Sequence, residues 1–344
     1  MGYDYDSDPR IDPRIKAISA LLTDELPLPR ATSREELLAL ARGEQALAGY
    51  ALSQAAMELC DVESVVASAG LRVQTHRVTS QPDGNTINIQ FIRPDNDVEL
   101  PCVYYIHGGA MTTLSCYWGN YRAWGKILAH KGVAVAMVDF RNALVASSVP
   151  EVAQYPAGLN DCESGLRWLH AHASELRVDD SRIVVAGESG GGNLTLALGM
   201  KLLRDGDVGL ISGLYALCPY IAGSWPRPEY PSTYENEGIW LNVHESQGAL
   251  AYGIEAFEAR DPLAWPSFAT GDDVRGLPPV VINVNECDPL RDEGVAFYRL
   301  LMASGVSARC RQIMGTMHAT ELIPNLCPDV THDTARDIAA FTKG

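Results

Sequence analysis

The chain has few positive charges and no long apolar run, and both absences narrow what it can do. Lysine and arginine together number 27 against 43 aspartates and glutamates, a formal charge of -16. A surface so acidic repels nucleic acid and anionic lipid, so neither is expected as a partner. No apolar stretch approaches the roughly 20 residues that a membrane helix needs. The start, Met1 to Asp6, is acidic and lacks the apolar core of a secretory leader, which sets the expectation of a cytoplasmic protein. The 8 cysteines (Cys60, Cys102, Cys116, Cys162, Cys218, Cys287, Cys310 and Cys327) are scattered, with no C-x-x-C pair. Zinc sites and thioredoxin-type redox chemistry are therefore not expected, and the thiols read as reduced core residues. Internal repeats and low-complexity tracts are also lacking.

What the chain does have is apolar bulk. Of its 344 residues, 47% are hydrophobic, enough for a large core, and the length fits a single α/β domain with an inserted cap as well as two domains. The first 65 or so residues read as helical: a short helix over Pro13 to Leu22, then a capping box in which Ser33 is the N-cap and Glu36 the third helical position. Strands begin near Leu71. Thr86 to Phe91 alternates polar and apolar after the turn Pro82-Asp83-Gly84-Asn85, which predicts an antiparallel hairpin leading the sheet. From Cys102 the pattern changes to short apolar runs: Cys102–Ile106, Val133–Val138, Ile183–Ala186, Gly213–Leu217 and Val280–Val284. Helical stretches such as Tyr121–Lys131 and Asp161–Leu176 separate most of them. Continuous apolar strands alternating with helices predict a mostly parallel sheet covered on both faces. The interval from about Tyr220 to Gly276, rich in Pro, Trp and Tyr, is too long for an ordinary loop and reads as an insertion over the sheet's carboxyl edge.

One stretch organises the rest. Val184-Val185-Ala186-Gly187-Glu188-Ser189-Gly190-Gly191-Gly192-Asn193 reads as strand, glycine turn and helix, with Leu194, Ala197, Leu198 and Leu202 recurring at helical spacing. A serine in Gly187-x-Ser189-x-Gly191 at such a turn has its hydroxyl pushed out of the sheet, the arrangement of a nucleophile elbow. A phosphate-binding glycine turn is the rival reading. A second glycine turn, His107-Gly108-Gly109-Ala110, follows the strand Cys102–Ile106 directly. Two N–H groups from Gly108, Gly109 and Ala110, with that of Gly190, could hold a developing oxyanion. His107 itself reads as structural, fixing the loop through its ring nitrogens.

A serine nucleophile needs a base, and the base an orienting acid. Three histidines follow Ser189: His244 in the insertion, His332 in the final helical stretch, and His318 in the loop after the candidate strand Ala308–Ile313. Only His318 falls just past the carboxyl end of a late strand. The acid candidate is Asp288, just after Val280–Val284, with Asp292 as its rival. Asp292 also fits the first turn of a helix, and Asp288 an N-cap before Pro289. Trp118, Tyr121, Tyr220 and Trp225 are candidate pocket linings, with plain core or cap packing as the alternative.

Together these motifs resemble the hormone-sensitive-lipase-like esterases of the α/β-hydrolase fold. The likeness rests on His107-Gly108-Gly109-Ala110, Gly187-Glu188-Ser189-Gly190-Gly191, Asp288-Pro289-Leu290-Arg291-Asp292-Glu293-Gly294 and the late His318, and runs from about Leu71 to the C-terminus. The chain departs from the pattern where Ala110 replaces the usual third glycine and Glu188-Ser189-Gly190 the usual Asp-Ser-Ala. Phe140-Arg141-Asn142-Ala143 stands for the usual Tyr-Arg-Leu-Ala, and the N-terminal segment is hard to match to the pattern. The resemblance implies Ser189 as nucleophile, His318 as base, Asp288 as its orienter, and an oxyanion hole from the glycine loop and Gly190. It implies a helical cap made of residues 1–70 and 221–276 over a core of 71–220 and 277–344. The expected activity is serine-dependent hydrolysis of short- to medium-chain carboxylic esters, without metal or cofactor. The expected partner is a small-molecule ester, with a homodimer left open. An amidase or lactonase would use the same residues. A ligand receptor on this fold is the reading of another class, and the presence of His318 argues against it.

Overall fold

A computed structural model describes residues 3–18 and 29–344. Its centre is an eight-stranded sheet: β1 (Leu71–Thr79), β2 (Thr86–Pro94), β3 (Leu100–Ile106), β4 (Ala134–Asp139), β5 (Val178–Glu188), β6 (Gly213–Leu217), β7 (Val280–Asn285) and β8 (Ala308–Ile313). The order is β1-β2-β4-β3-β5-β6-β7-β8. The β1–β2 and β2–β4 pairs are antiparallel and every later pair is parallel. The leading hairpin turns as its sequence predicts, with the Ser80 N–H on the Asn85 carbonyl at 2.8 Å.

The continuous apolar runs are strands buried on both faces. Along β3, Cys102, Tyr104 and Ile106 enter one core, while Val103 and Tyr105 enter the other. The first core packs beneath the helices Ala157–Ala171 and Gly190–Asp205, through Leu166, Leu194 and Leu198. The second packs beneath Gly119–Ala129 and Pro328–Lys343, through Trp124, Leu128 and Ile338. The edges are handled differently. Most of β1 is exposed. On β8, Arg309 and Arg311 both pair with Asp337 of the last helix, and charge on an edge strand discourages pairing with another chain.

Three local expectations are adjusted. The first helix forms over Pro13–Ile18, and residues 19–22 of its expected span lie outside the described residues. Ser33 does cap the helix Arg34–Ala41 by accepting the Glu36 N–H. The Glu36 carboxylate, however, accepts from the N–H and hydroxyl of Thr32 rather than from the Ser33 N–H. The stretch Asp161–Leu176 is two helices, Ala157–Ala171 and Ala173–Leu176, separated at His172.

The N-terminal residues divide into two parts. Residues 3–18 lie against the loops that follow β7 and β8, where Tyr5, Ile11 and Ile15 are buried with Cys287 and Met317. The helix Arg34–Ala41 instead buries Leu37 and Ala41 against Leu144 and Ala251, and the helix Glu44–Glu58 touches Trp118 through Tyr50. The long interval after Tyr220 contains only short helical turns, among them Ser232–Glu235, Gly248–Tyr252 and Ile254–Glu258. No described helix is long and apolar enough to cross a membrane.

Candidate active site

β5 ends at Glu188, the chain turns at Ser189, and the helix Gly190–Asp205 starts at once. Ser189 has φ 56° and ψ -120°, a conformation that L residues rarely adopt and that costs about 1–3 kcal/mol. The turn is held by hydrogen bonds. The Ser189 N–H donates to the Leu217 carbonyl at 3.0 Å, and the Ser189 carbonyl accepts from the Asn193 and Tyr220 N–H groups, each at 3.0 Å. The glycines are demanded by close approach. A Cβ on Gly191 would stand 2.0 Å from the Ile106 carbonyl oxygen, and one on Gly190 would stand 2.5 Å from the Met111 nitrogen. The elbow is thus pressed against the end of β3 and the glycine loop that follows it.

Beside the elbow, the loops after β7 and β8 meet. His318 Nδ1 and Asp288 Oδ2 are 2.8 Å apart, with Asp288 fully buried and His318 nearly so. The second Asp288 oxygen accepts the Leu290 N–H at 2.8 Å, but the helix Arg291–Ala303 has Leu290 as its N-cap and no side-chain cap, so Asp288 is not the N-cap. Asp292 is engaged elsewhere: its carboxylate accepts from the Ser232 N–H and the Arg291 guanidinium. Burial pulls the His318 pKa down, but the adjoining Asp288 carboxylate outweighs it and holds the imidazole well above its ordinary value. The Ser189 and His318 segments converge on the end of β6. Leu217 accepts the Ser189 N–H, and the next residue, Cys218, lies against His318. Burial pushes the Cys218 thiol up to about 11, so it stays protonated at neutral pH. Cys218, Asp288 and His318 bring metal-ligating atom types within 4.8 Å of one another, but the Asp288–His318 hydrogen bond already engages two of the three.

The glycine loop requires a correction. The Gly108 N–H donates to Glu188 Oε1 at 2.7 Å and lies 3.1 Å from the Tyr121 hydroxyl oxygen, so it cannot serve an oxyanion. The N–H groups of Gly109, Ala110 and Gly190 have no such partner among the described residues. Ala110, in place of a glycine, adopts φ 52°. His107 is stacked on Phe140 at 4.3 Å, with Nδ1 3.0 Å from the Gly108 carbonyl oxygen and Nε2 3.5 Å from Asp139, in keeping with a structural part.

Tyr121 is a second correction. It is buried behind the loop, and its hydroxyl donates to Glu188 Oε1 at 2.6 Å, so it does not line a pocket. Trp118 faces the helix Glu44–Glu58, edge-on to Tyr50 at 4.8 Å. Tyr220 and Trp225 stack on each other at 4.5 Å, directly after the segment that holds the elbow.

Two buried glutamates carry structure that spacing did not reveal. Glu188 accepts from the Tyr105 and Tyr121 hydroxyls, each at 2.6 Å, and from Gly108, so one carboxyl ties the elbow to the glycine loop. Its burial pushes the pKa up to about 7 against the pull of these donors. Glu293 accepts from the N–H groups of Ile221 and Ala222 and from the Trp225 indole, fixing the start of the long insertion. Burial lifts its pKa to about 8. The signal available for both was an acidic residue inside a glycine-bearing or apolar motif.

The sheet order, the strained serine after the central strand and the late acid–base pair define an α/β-hydrolase. Comparison with known proteins narrows the class. Residues 103–322 match the alpha/beta hydrolase fold family. Over 250 residues the chain is 32% identical to carboxylesterase NlhH of Mycobacterium tuberculosis (strain ATCC 25618 / H37Rv), covering 71% of this chain and 74% of that one. Esterase Est22, solved with p-nitrophenol, is 61% identical, with coverage of 98% and 99% and a TM-score of 0.95. Brefeldin A esterase, a bacterial homologue of human hormone-sensitive lipase, is 34% identical, with coverage of 98% and 94% and a TM-score of 0.86. The chain belongs to the hormone-sensitive-lipase-like esterases of the α/β-hydrolase fold.

Proposed function

We propose that Ser189, His318 and Asp288 form the catalytic triad, and that the N–H groups of Gly109, Ala110 and Gly190 form the oxyanion hole. As a member of this esterase family, the chain is a carboxylic-ester hydrolase that works through an acyl-enzyme. The observation that carries the assignment is the buried Asp288–His318 hydrogen bond, at 2.8 Å, beside the strained turn at Ser189. In this reading Asp288 keeps the proton on Nδ1, leaving Nε2 free to take the Ser189 proton. The serine oxygen attacks the ester carbonyl and the N–H groups hold the oxyanion. His318 then passes its proton to the departing alcohol. Water, deprotonated by the same ring, releases the acid and restores the serine.

The preferred substrates are esters of short and medium acyl chains. Residues 1–70 and 221–276 serve as the cap, joined where Leu37 and Ala41 meet Ala251. Tyr220 and Trp225, packed with Trp265, supply an aromatic wall beside the elbow, and Trp118 a second beneath the helix Glu44–Glu58. The helices of the insertion have five residues or fewer, too short to form an amphipathic lid for an oil surface. The substrate is a small-molecule ester, and the acidic charge disfavours an anionic membrane surface as the place where the chain meets it. A panel of nitrophenyl esters from acetyl to palmitoyl tests the pocket. The kcat/KM for butyryl should exceed that for palmitoyl by at least about tenfold, since methylenes that a bounded pocket cannot hold cost about 1 kcal/mol or more each. Equal rates, or activation by an emulsion, would contradict a bounded pocket.

Glu188 yields a further expectation. Glu188→Ala leaves two tyrosine hydroxyls and the Gly108 N–H buried without their acceptor, so the glycine loop loses its tie to the elbow. The kcat should fall by about 100-fold, the scale set by losing one oxyanion donor, with KM changed far less. Glu188→Gln keeps an acceptor oxygen for Gly108 and should retain most of the activity. Parent-like kcat in a folded Glu188→Ala protein would show that the loop is held by other contacts.

A further inference from the structure

Residues 3–18 lie outside the matched stretch 103–322, yet they grip both loops that carry the acid and the base. Ile11 and Ile15 are buried in one cluster with Cys287 and Met317, the residues immediately before Asp288 and His318. The Asp12 N–H donates to the Gly315 carbonyl at 2.9 Å, three residues before His318. The acid loop is reached through a side-chain relay. Arg10 Nη1 donates to Asn236 Oδ1 at 2.8 Å. The Nδ2 of Asn236, a fully buried residue, donates to the main-chain carbonyls of Glu286 and Asp288 at 3.1 and 3.0 Å. Asp8 holds the other side of the Arg10 guanidinium through Nε and Nη2. The two loops are also tied to each other, Cys287 N–H to the Thr316 carbonyl at 2.9 Å and Gly315 N–H to the Glu286 carboxylate at 2.8 Å. A force on either loop is therefore felt by both.

We propose that residues 3–18 are a positioning strap for catalysis, in which Arg10, acting through Asn236, fixes the main chain at Asp288 and with it the Asp288–His318 hydrogen bond. The proposal rests on the triad reading. Asp288 forms no direct hydrogen bond to residues 3–18, so the strap acts on chemistry only through the loop backbone. Catalysis is sensitive to such backing, because a displacement of about 1 Å in a reacting group can cost 100-fold in rate. The groups that face His318 are Asp288, Cys218 and, from the following turn, the buried Glu321, which is held by Asn283 and Asn285. Loosening the Asp288 loop changes the carboxylate among these and leaves the other two in place.

The test uses the full chain with Arg10→Ala, Arg10→Lys and Asn236→Asp, the last of which keeps an oxygen for Arg10 but loses both donors to the acid loop. Arg10→Ala and Asn236→Asp should lower kcat by about 10- to 100-fold with KM within about threefold. Their acid limb should move to lower pH, because a displaced carboxylate stabilises the charged imidazole less. Arg10→Lys should recover part of the loss. A lower melting temperature with parent kcat and parent pH profile in Arg10→Ala, or in Asn236→Asp where Arg10→Ala does not fold, would overturn the strap and leave those residues as mere packing. A serine-directed phosphonate separates this from failure of the triad itself. If it does not label Ser189 in the parent, the triad reading falls; if it labels fully while the variants keep parent kinetics, only the strap falls.

Discussion

Ser189→Ala should lower kcat for ester hydrolysis by about a millionfold while leaving the fold intact, the scale of loss seen when a serine protease is deprived of its nucleophile. The two halves of this expectation have separate physical grounds. Activity goes because no other group can form the acyl-enzyme: Cys218, the nearest thiol to His318, is buried and protonated. Folding survives because what holds the turn is main chain. The Ser189 N–H and carbonyl make the bonds to Leu217, Asn193 and Tyr220, and alanine keeps both groups. Its methyl group also occupies the place of the serine Cβ, so the backbone strain at φ 56° is neither relieved nor increased. The hydroxyl forms no hydrogen bond to a described residue, so its loss removes little stability. Resting serine–histidine contacts are often long and tighten only with substrate. The measurement is turnover of a nitrophenyl ester beside a thermal melt. Parent turnover by a folded Ser189→Ala protein would overturn the mechanism, whereas unfolding would show that the hydroxyl serves the fold.

The fold and the candidate catalytic frame were legible because they rest on local chemistry. Parallel strands buried on both faces are mostly apolar, so β3, β4, β6 and β7 stand out as short apolar runs, and the elbow follows the similar run that ends β5. β5 was seen only in its second half, Ile183–Ala186. Its first half passes through Asp179, Asp180 and Arg182 near the sheet's rim, where polar side chains face water. Contacts between distant residues were not legible. A glycine motif states that N–H groups are accessible but not which of them is already engaged. The Gly108 donor is consumed by Glu188, 80 residues away, and Tyr121 is turned from pocket to scaffold by the same carboxylate. The Arg10–Asn236 contact spans 226 residues and has no periodicity or motif to announce it. The choice between Asp288 and Asp292 was open for a related reason. Both follow β7 within a few residues, and which one faces His318 depends on where Ser232 of the insertion and Arg291 engage the other.

Asp288→Asn should cost about ten-thousandfold in kcat/KM, as the corresponding change does in serine proteases, and Asp292→Asn no more than a few-fold. An asparagine at 288 can present its NH₂ to Nδ1, which moves the ring proton to Nε2 and removes the lone pair that must accept from Ser189. The pH profile carries a second, independent signature. His318 must be neutral to act as base, and the Asp288 carboxylate holds its pKa well above the usual imidazole value despite burial. The parent's activity should therefore fall as pH drops through that raised value and level off in alkaline solution. With the carboxylate gone, burial prevails and the pKa falls, so the residual activity of Asp288→Asn should keep its plateau down to lower pH. Asp292→Asn disturbs the Ser232 N–H and Arg291 contacts, which touch neither His318 nor Ser189, so its acid limb should match the parent. The measurement is kcat/KM against pH for both variants, with circular dichroism to confirm folding. If Asp292→Asn is the crippled protein, or if Asp288→Asn keeps the parent limb, Asp288 does not orient the base.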